Sequence, residues 1–472
     1  MTGDLWKLSA VEQAEGIRQR KFSATDAVNA SLARMNETNA AVNAITIDMS
    51  EQARGAAEAA DRAVEAGGDL GPLHGVPITI KENIDVKGEP TTMGVAAFEN
   101  NIAPDHSPVT KNLLDAGAIL IGRTNTPEFG LRWLTENPLR GDTANPWDLA
   151  RSPGGSSGGA AASVMLGMGA VAHGNDLGGS VRYPAYCCGA VGIRPTQGRV
   201  PNFNPSAMAA RPIMIQLMAV QGPLTRTVAD TRLALKVMSR RDPRDPWWVP
   251  APLEGPAVDQ PVKVAVPRDL GATVHPSVNR GIETAAAALS DAGYAVETVE
   301  TPSLDELRQI WGETLFTDVR LLMEQAVKDY GSDDVNAALA FRSALFEEPD
   351  FQAYAAAFGK RETILREWVM MQEDYPILLT PVSLEPPLLP REDCVSESRY
   401  CEVALAQSWL VAFNFLGLPS VSVPTGLFDG LPTGVQLVGQ RFREDLCLDA
   451  AQVVEDSVGI MAETLWKQFD AT

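Results

Sequence analysis

Two glycine-rich segments contain the serines best suited to nucleophilic chemistry. In GNDLGGSVR, residues 174–182, Ser180 follows two glycines. Successive N–H groups of such a backbone can point at one oxyanion next to a hydroxyl nucleophile. The second segment, SPGGSSGG at residues 152–159, contains Ser156, and its glycines allow a close approach of the backbone because they have no Cβ. The first segment therefore predicts a serine nucleophile, whereas the second is ambiguous when taken alone.

A phosphate-binding loop is the main alternative for the second segment. Such a loop has a lysine directly after its last glycine, whereas Gly159 is followed by Ala160. A nucleotide site is therefore disfavoured. The sequence also disfavours catalysis by histidine or a metal ion. Its four histidines are scattered and have no partners at metal-ligand spacing: His74, His106, His173 and His275. We expect neither a metal nor an organic cofactor.

A lysine completes a set of residues that resembles a known family. Lys81 ends the run VPITIK, which is typical of a short apolar strand. Lys81, the GGSSGG loop and GNDLGGSVRYPAYCCGAVGIRPT (174–196) resemble the amidase signature family of serine hydrolases. Lys81 and Ser156 are 75 positions apart, and the 24 positions from Ser156 to Ser180 are the usual separation in that family. The resemblance is dense over about 70–230, and NFLGLPSVSVPTG (414–426) matches a second family landmark.

The resemblance implies a mechanism without histidine. Ser180 would attack the carbonyl and form an acyl-enzyme, Ser156 would relay the proton after a cis peptide bond from Gly155, and Lys81 would be the base. A lysine base must be neutral, and burial lowers the pKa of an amine. We therefore expect Lys81 to be buried beside the two serines, with Glu82 facing away as strand alternation places it.

The remaining site residues are also implied by the resemblance or lie beside its motifs. Backbone N–H groups would form the oxyanion hole at Leu177, Gly178 and Gly179, with Ser180 itself. Supporting roles are expected for Ser157, Asp176 and Arg182, the last two as an ion pair that anchors the loop. Substrate contacts are expected at Gly130 and Thr135.

Each of these residues alone has an ordinary explanation. A single lysine at a strand end is normally a solvated charge, and a serine among glycines is normally a turn residue. The combination favours catalysis, because three separate segments supply complementary parts of one mechanism. The pair Cys187 and Cys188 is interpreted as buried packing, since it lies in small apolar sequence and the five cysteines lack CxxC spacing.

The chain predicts an α/β fold with a large mixed, twisted β-sheet covered by helices on both faces. Strand-like runs alternate with helical ones, and capping boxes begin two helices at Ser9 and Ser23. We expect one domain over 1–472, with the signature core at about 70–230. A proline-rich linker is expected at about 240–261 and a variable helical insert at about 304–372.

Specificity is expected to come from segments outside the signature: 129–135, 202–218 and the helical insert. Six large apolar residues in or near these segments are candidates for the pocket, although such residues are more often core: Met208, Met214, Met218, Trp311, Phe316 and Trp409. The expected substrate class is a small-molecule amide. A carbamate or aryl-acylamide substrate remains an alternative, followed by the glutaminase-type subunit of an aminoacyl-tRNA amidotransferase and by a non-catalytic binding protein.

Charge and hydropathy limit the classes of partner that the protein is expected to bind. The net charge of -21 opposes direct binding to nucleic acid. No stretch approaches the roughly 20 apolar residues of a membrane span, and the start has no basic or apolar leader, so a cytoplasmic protein is expected. A homodimer is possible through the apolar N-terminal helices.

Overall fold

The computed structural model describes residues 4–346 and 348–470 and contains one 11-stranded sheet. The strands are β1 (Ile45–Asp48), β2 (Pro77–Lys81), β3 (Ile119–Thr124), β4 (Val171–Asp176), β5 (Val191–Arg194), β6 (Val220–Thr225), β7 (Lys263–Pro267), β8 (Ala295–Val299), β9 (Ile377–Pro381), β10 (Ser420–Phe428) and β11 (Leu431–Gly439). Their order across the sheet is β1-β3-β2-β4-β6-β5-β10-β11-β9-β7-β8.

Sixteen α-helices surround the sheet within the described residues. They are α1 (Ala10–Arg18), α2 (Ala24–Val42), α3 (Ser50–Glu65), α4 (Pro108–Asp115), α5 (Gly158–Met165), α6 (Arg182–Cys188), α7 (Ile213–Met218), α8 (Val228–Met238), α9 (Pro276–Asp291), α10 (Leu304–Tyr330), α11 (Asp333–Leu345), α12 (Phe351–Asp374), α13 (Glu397–Ala406), α14 (Ser408–Leu416), α15 (Glu444–Val458) and α16 (Met461–Phe469). Short 3₁₀ turns occupy Leu5–Lys7, Ala96–Phe98 and Glu128–Gly130. None of the helices in the described ranges is long and apolar enough to cross a membrane.

Parallel and antiparallel pairing are mixed in this sheet. β2 runs parallel to both β3 and β4, and β7 runs parallel to β8 and β9. The remaining ladders are antiparallel, including β4 with β6 and β10 with β11. β2 has a neighbour on each edge, and all five of its residues are buried, including the polar Thr79 and Lys81.

Hydrophobic cores lie on both faces of the sheet. In β9, Ile377 and Leu379 belong to one cluster and Leu378 to another. In β3, Leu120 and Ile121 likewise belong to different clusters. Successive side chains of a strand point to opposite faces, so this division confirms the predicted sheet with helices on both sides.

The N-terminal helices pack inward. Both predicted capping boxes form, between Ser9 and Glu12 and between Ser23 and Asp26. The apolar faces of α1 and α2 are buried, with Ile17 at 1% exposure. These faces therefore pack within the chain, and the subunit interface that the sequence suggested stays a prediction.

Two segments outside the sheet are the proline-rich stretch and the helical insert. Residues 239–262 contain neither helix nor strand and are tied to the body, because the Arg199 guanidinium donates to the carbonyls of Ala251 and Pro252. The predicted insert consists of α10, α11 and α12, and α10 packs on α7 and α14. The linker therefore lies against the fold, and the insert covers one side of the candidate site.

Candidate active site

Lys81 lies at the end of β2, completely buried. Its Nζ lies 2.7 Å from Ser156 Oγ, 3.0 Å from Ser157 Oγ and 2.7 Å from Asn175 Oδ1. Strand β2 ends between β3 and β4, and β4 delivers Asn175 to the same end of the sheet. The amine therefore has three polar neighbours and no contact with bulk water.

The electrostatic surroundings favour a neutral amine. Burial lowers the pKa of Lys81 well below its ordinary value, and the negative charge of Asp176 opposes this in part. Glu82 faces away, as strand alternation predicts, and its carboxylate accepts from Thr92 and Arg140. The carboxylate of Glu82, which follows Lys81 in the sequence, is thus directed away from the amine. This placement favours an unprotonated Lys81 with a free lone pair.

The glycine-rich loop is packed so tightly that its glycines are required. The Gly155-Ser156 peptide bond is cis. A Cβ on Gly155 would lie 2.6 Å from the Leu134 carbonyl oxygen, and one on Gly158 would lie 2.4 Å from Thr135 Oγ1. The loop therefore wraps around residues 134–135 and presents Ser156 to Lys81.

Thr135 belongs to the support of this loop. Its hydroxyl donates to the Gly154 carbonyl at 2.8 Å and accepts from the Gly158 N–H at 3.1 Å. Thr135 is fully buried and absent from the cavity wall. Its polar atoms are therefore engaged by the loop, and the predicted substrate contact of Thr135 has no support from this placement.

Asp176 and Arg182 form a buried ion pair under the serine loop, which we define as residues 174–182. Arg182 Nε lies 3.1 Å from Asp176 Oδ2, and both side chains are fully buried. Arg182 also donates to the Leu410 carbonyl, Asn414 Oδ1 and Gln436 Oε1. Burial acts to raise the pKa of the Asp176 carboxyl, but the positive charge of Arg182 and its hydrogen bonds to the carboxylate outweigh this effect and hold that pKa far below its usual value. The pair therefore stays ionised and anchors the loop to the C-terminal landmark.

The expected oxyanion donors differ in their availability. Asp176 Oδ1 accepts the Gly179 N–H at 2.9 Å, so this donor is already used. In the described part of the chain, the N–H groups of Leu177, Gly178 and Ser180 have no protein acceptor. The structure thus leaves three of the four predicted donors free.

An indole fixes the middle of the serine loop. Trp133 Nε1 donates to the Gly178 carbonyl at 2.9 Å, while the N–H of the same peptide unit, that of Gly179, donates to Asp176. The Gly178-Gly179 peptide is therefore held at both ends. Arg342 of α11 donates to the Leu131 carbonyl and lies over the Trp133 ring, so the insert contributes to this clamp.

A cavity of about 460 Å³ opens onto Ser156 and Ser180. All three predicted specificity segments line it, as does Gly130. Of the six apolar candidates only Met208 is in its wall, whereas the other five belong to the hydrophobic core. Sequence reasoning missed the cavity-lining part of 83–101 and also Asn175, although Asn175 lies inside the recognised motif.

The cysteines contribute packing. Cys187 and Cys188 are fully buried, and burial raises the pKa of both thiols. Among the described residues no group of histidine, cysteine or carboxylate side chains is arranged to hold a metal ion. Neither thiol lines the cavity.

Comparison with known proteins agrees with this geometry. The family model described as Amidase matches residues 26–448. An indoleacetamide hydrolase of Bradyrhizobium diazoefficiens is 47% identical over 472 residues, covering 99% of this chain and 90% of the relative. One subunit of the glutamyl-tRNA(Gln) amidotransferase of a Synechococcus strain is 32% identical over 480 residues, covering 95% and 97%.

A solved bacterial aryl acylamidase of the amidase signature family superposes with a TM-score of 0.82 at 28% identity, covering 98% of this chain and 97% of that one. The match to the family model extends over most of the sequence, and the relatives span the full fold. Small-molecule amide hydrolysis, predicted from the sequence, is confirmed at this level. The chain belongs to the amidase family, that of the amidase signature enzymes.

Proposed function

We propose that this enzyme hydrolyses arylacetamides, primary amides of aryl-substituted acetic acids, through an acyl-enzyme on Ser180. The observation that carries the proposal is the buried Lys81 amine, 2.7 Å from the Ser156 hydroxyl, in a cavity that Ser180 shares. Burial lowers the pKa of this amine well below its ordinary value, which favours the neutral, basic form. The three residues together supply a nucleophile, a proton relay and a base.

The neighbours of Lys81 determine where its lone pair points. A neutral amine has two N–H bonds and one lone pair. The Asn175 Oδ1 atom can only accept, and Ser157 Oγ accepts a second N–H at 3.0 Å. The lone pair then faces Ser156, which passes its proton to Lys81 and takes the proton of Ser180 as the new C–O bond forms.

Collapse of the tetrahedral intermediate reverses this proton path. The C–N bond breaks, Ser156 gives a proton to the departing nitrogen, and Lys81 returns its proton to Ser156. Ammonia leaves and the acyl group remains on Ser180. A water molecule then repeats the sequence of proton transfers, releasing the carboxylic acid and restoring all three residues.

The serine loop supplies the charge stabilisation. The free N–H groups of Leu177, Gly178 and Ser180 are suited to the oxyanion. A single donor of this kind is typically worth about 3 kcal/mol of transition-state stabilisation. Because the loop is held by Asp176 and Trp133, these donors need no rearrangement during the reaction.

The cavity wall supports an aromatic acyl group. Phe98, Phe129 and Leu177 line the cavity together with Leu322 and Met323 of α10. Flat aromatic groups bind well between such side chains. The 47% identical relative is an indoleacetamide hydrolase, which supports an aryl-substituted acetamide as the substrate class here.

The glutaminase-type alternative is less well supported. Glutamine carries both an ammonium and a carboxylate, which require charged partners in a closed site. Among the described wall residues the charged ones are Asp176 and Arg211, and Asp176 is committed to Arg182. No carboxylate is then left for the ammonium. Carbamates and aryl-acylamides fit the same acyl chemistry and are kept as competitors in the assay.

The remaining inferences concern the cellular setting. The five cysteines are all free thiols, which favours a reducing compartment such as the cytoplasm. The net charge of -21 favours a small-molecule substrate over nucleic acid. A homodimer would be recognised by its mass in light scattering at micromolar concentration.

The test is release of amine or ammonia from arylacetamides, aliphatic amides, anilides, carbamates and glutamine by the intact enzyme and by Ser180→Ala. Arylacetamide hydrolysis that disappears in the variant supports the proposal. Ser163→Ala is the matched control, because Ser163 is a buried serine of α5 that bonds the Ala160 carbonyl. Activity that survives in Ser180→Ala would overturn the mechanism, and turnover of glutamine alone would overturn the substrate class.

A further inference from the structure

One amide side chain in the cavity wall has no partner. Asn83 is 9% exposed and lines the cavity. Its Oδ1 is enclosed and accepts no hydrogen bond, and its Nδ2 donates none to the described residues. A buried polar group without a partner is destabilising and normally marks a place that a ligand or water fills.

The other amide side chains of the cavity differ from Asn83. Each makes a hydrogen bond to the protein: Asn101 to the Thr91 carbonyl, Asn175 to Lys81, Asn202 to the Ala219 carbonyl, Asn204 to the Asn83 carbonyl and Gln221 to His173. Those five hold the wall together. Asn83 is therefore the cavity amide, within the residues described, whose side chain is free to serve a ligand.

The position of Asn83 relates it to the leaving group. A Cβ on Gly130 would lie 3.7 Å from Ser156 Oγ and 3.9 Å from Asn83 Nδ2, so both side chains border the same small space. Ser156 is the residue that hands a proton to the departing nitrogen in the proposed function. The space beside Gly130 is then where that nitrogen lies.

The backbone around Asn83 is fixed while its side chain is not. The Asn83 carbonyl accepts from Asn204 Nδ2 at 3.0 Å, and Asn204 Oδ1 accepts the Asp85 N–H at 3.2 Å. Asp85 in turn accepts the N–H and the hydroxyl of Ser206. The amide can rotate about its last bond to present Oδ1 to a donor without disturbing the wall.

We propose that Asn83 recognises the leaving-group nitrogen, with Oδ1 accepting an N–H of the substrate carboxamide. This contact selects amides that carry an N–H over isosteric groups that lack one. It rests on the proposed catalytic roles and adds a specificity residue to them. No proton is transferred to Asn83, which orients the nitrogen toward Ser156.

The test compares binding of two ligands to enzyme that cannot react. In a Ser180→Ala background, calorimetry measures the amide that the intact enzyme hydrolyses fastest and the methyl ketone of the same skeleton, in which CH₃ replaces NH₂. We expect the amide to bind about tenfold more tightly than the ketone. Adding Asn83→Leu, which keeps the side-chain shape, should reduce this ratio to about threefold or less by weakening the amide alone.

The control is Asn101→Leu in the same background, which removes an amide that already has a protein partner and should leave the amide-to-ketone ratio unchanged. If Asn83→Leu fails to fold, as judged by its melting temperature, Asn83→Ala gives the same comparison. The inference is overturned if the amide-to-ketone affinity ratio is undiminished in the Asn83 variant. It is also overturned if Ser180→Ala alone binds the two ligands equally. Failure of the arylacetamide proposal would instead appear in the substrate panel, which does not involve Asn83.

Discussion

Replacing Asn175 tests how the base is tuned. Asn175 Oδ1 accepts from Lys81 Nζ at 2.7 Å, and a hydrogen bond to an ammonium is stronger than one to a neutral amine. Asn175→Leu removes the acceptor with little change in shape. The protonated form of Lys81 loses more than the neutral form, so the pKa of Lys81 falls further. Asn175→Asp places a negative charge at the same point and must raise the pKa.

The magnitude follows from the two kinds of bond. A hydrogen bond to a charged group contributes about 1.5 to 3 kcal/mol and one between neutral groups about 0.5 to 1.5 kcal/mol. Lys81 is completely buried, so solvent does not screen the difference of about 1.4 kcal/mol, which equals about one pKa unit. The plateau of kcat should also fall about tenfold in Asn175→Leu, because the lone pair is no longer directed to Ser156.

The assay is the pH dependence of kcat/KM for the preferred amide. Activity requires neutral Lys81, so it rises with pH through the pKa of that amine. The acidic limb should move down by about one unit in Asn175→Leu and up by about one unit or more in Asn175→Asp. A shift of both variants in the same direction, or no shift in either, would refute the assignment of Lys81 as the base.

Three further perturbations address the loop, the buried amine and the thiols. Trp133→Phe deletes the hydrogen bond to the serine loop and should lower kcat about tenfold at unchanged KM, whereas Trp466→Phe deletes a comparable 2.7 Å bond elsewhere without that effect. Below the ordinary pKa of 10.5 and above the folded value, unfolded Lys81 binds a proton that the folded state lacks. The free energy of unfolding, measured with urea, should therefore rise with pH in the wild type. Its slope should exceed that of Lys81→Met by about 1.4 kcal/mol per pH unit. Iodoacetamide at pH 8 should leave Cys187 and Cys188 unmodified by mass spectrometry, and their alkylation in the native enzyme would contradict their burial.

The sequence indicated the tight loops around Ser156 and Ser180 but not the hydrogen bonds made within them. Glycines near Ser156 and Ser180 are informative because close packing excludes other residues, and the structure shows that packing. The use of the Gly179 N–H by Asp176 was missed, since hydrogen-bond direction leaves no trace in residue type. Asn83 was also missed, because a single asparagine after a strand is an ordinary turn residue.

Strands were predicted where burial on both faces gives a continuous apolar run. Strand β9, Ile377–Pro381, is buried along its whole length and begins with such an apolar run. β6 and β11 were missed, because glycine and proline interrupt their sequences VQGPLT and LPTGVQLVG and normally indicate turns. Tertiary pairing overrides those local signals: a Cβ on Gly222 would lie 2.0 Å from the Ile193 carbonyl oxygen, so a glycine is required there.

The anchoring of Arg182 links the start of activity to the completion of synthesis. All proposed reacting groups lie between Lys81 and Ser180, but three of the partners that hold Arg182 are Leu410, Asn414 and Gln436. A nascent chain on the ribosome therefore carries every reacting residue long before the serine loop has its anchor. Hydrolysis should begin only after residue 436 has emerged, which makes a prematurely terminated chain catalytically silent.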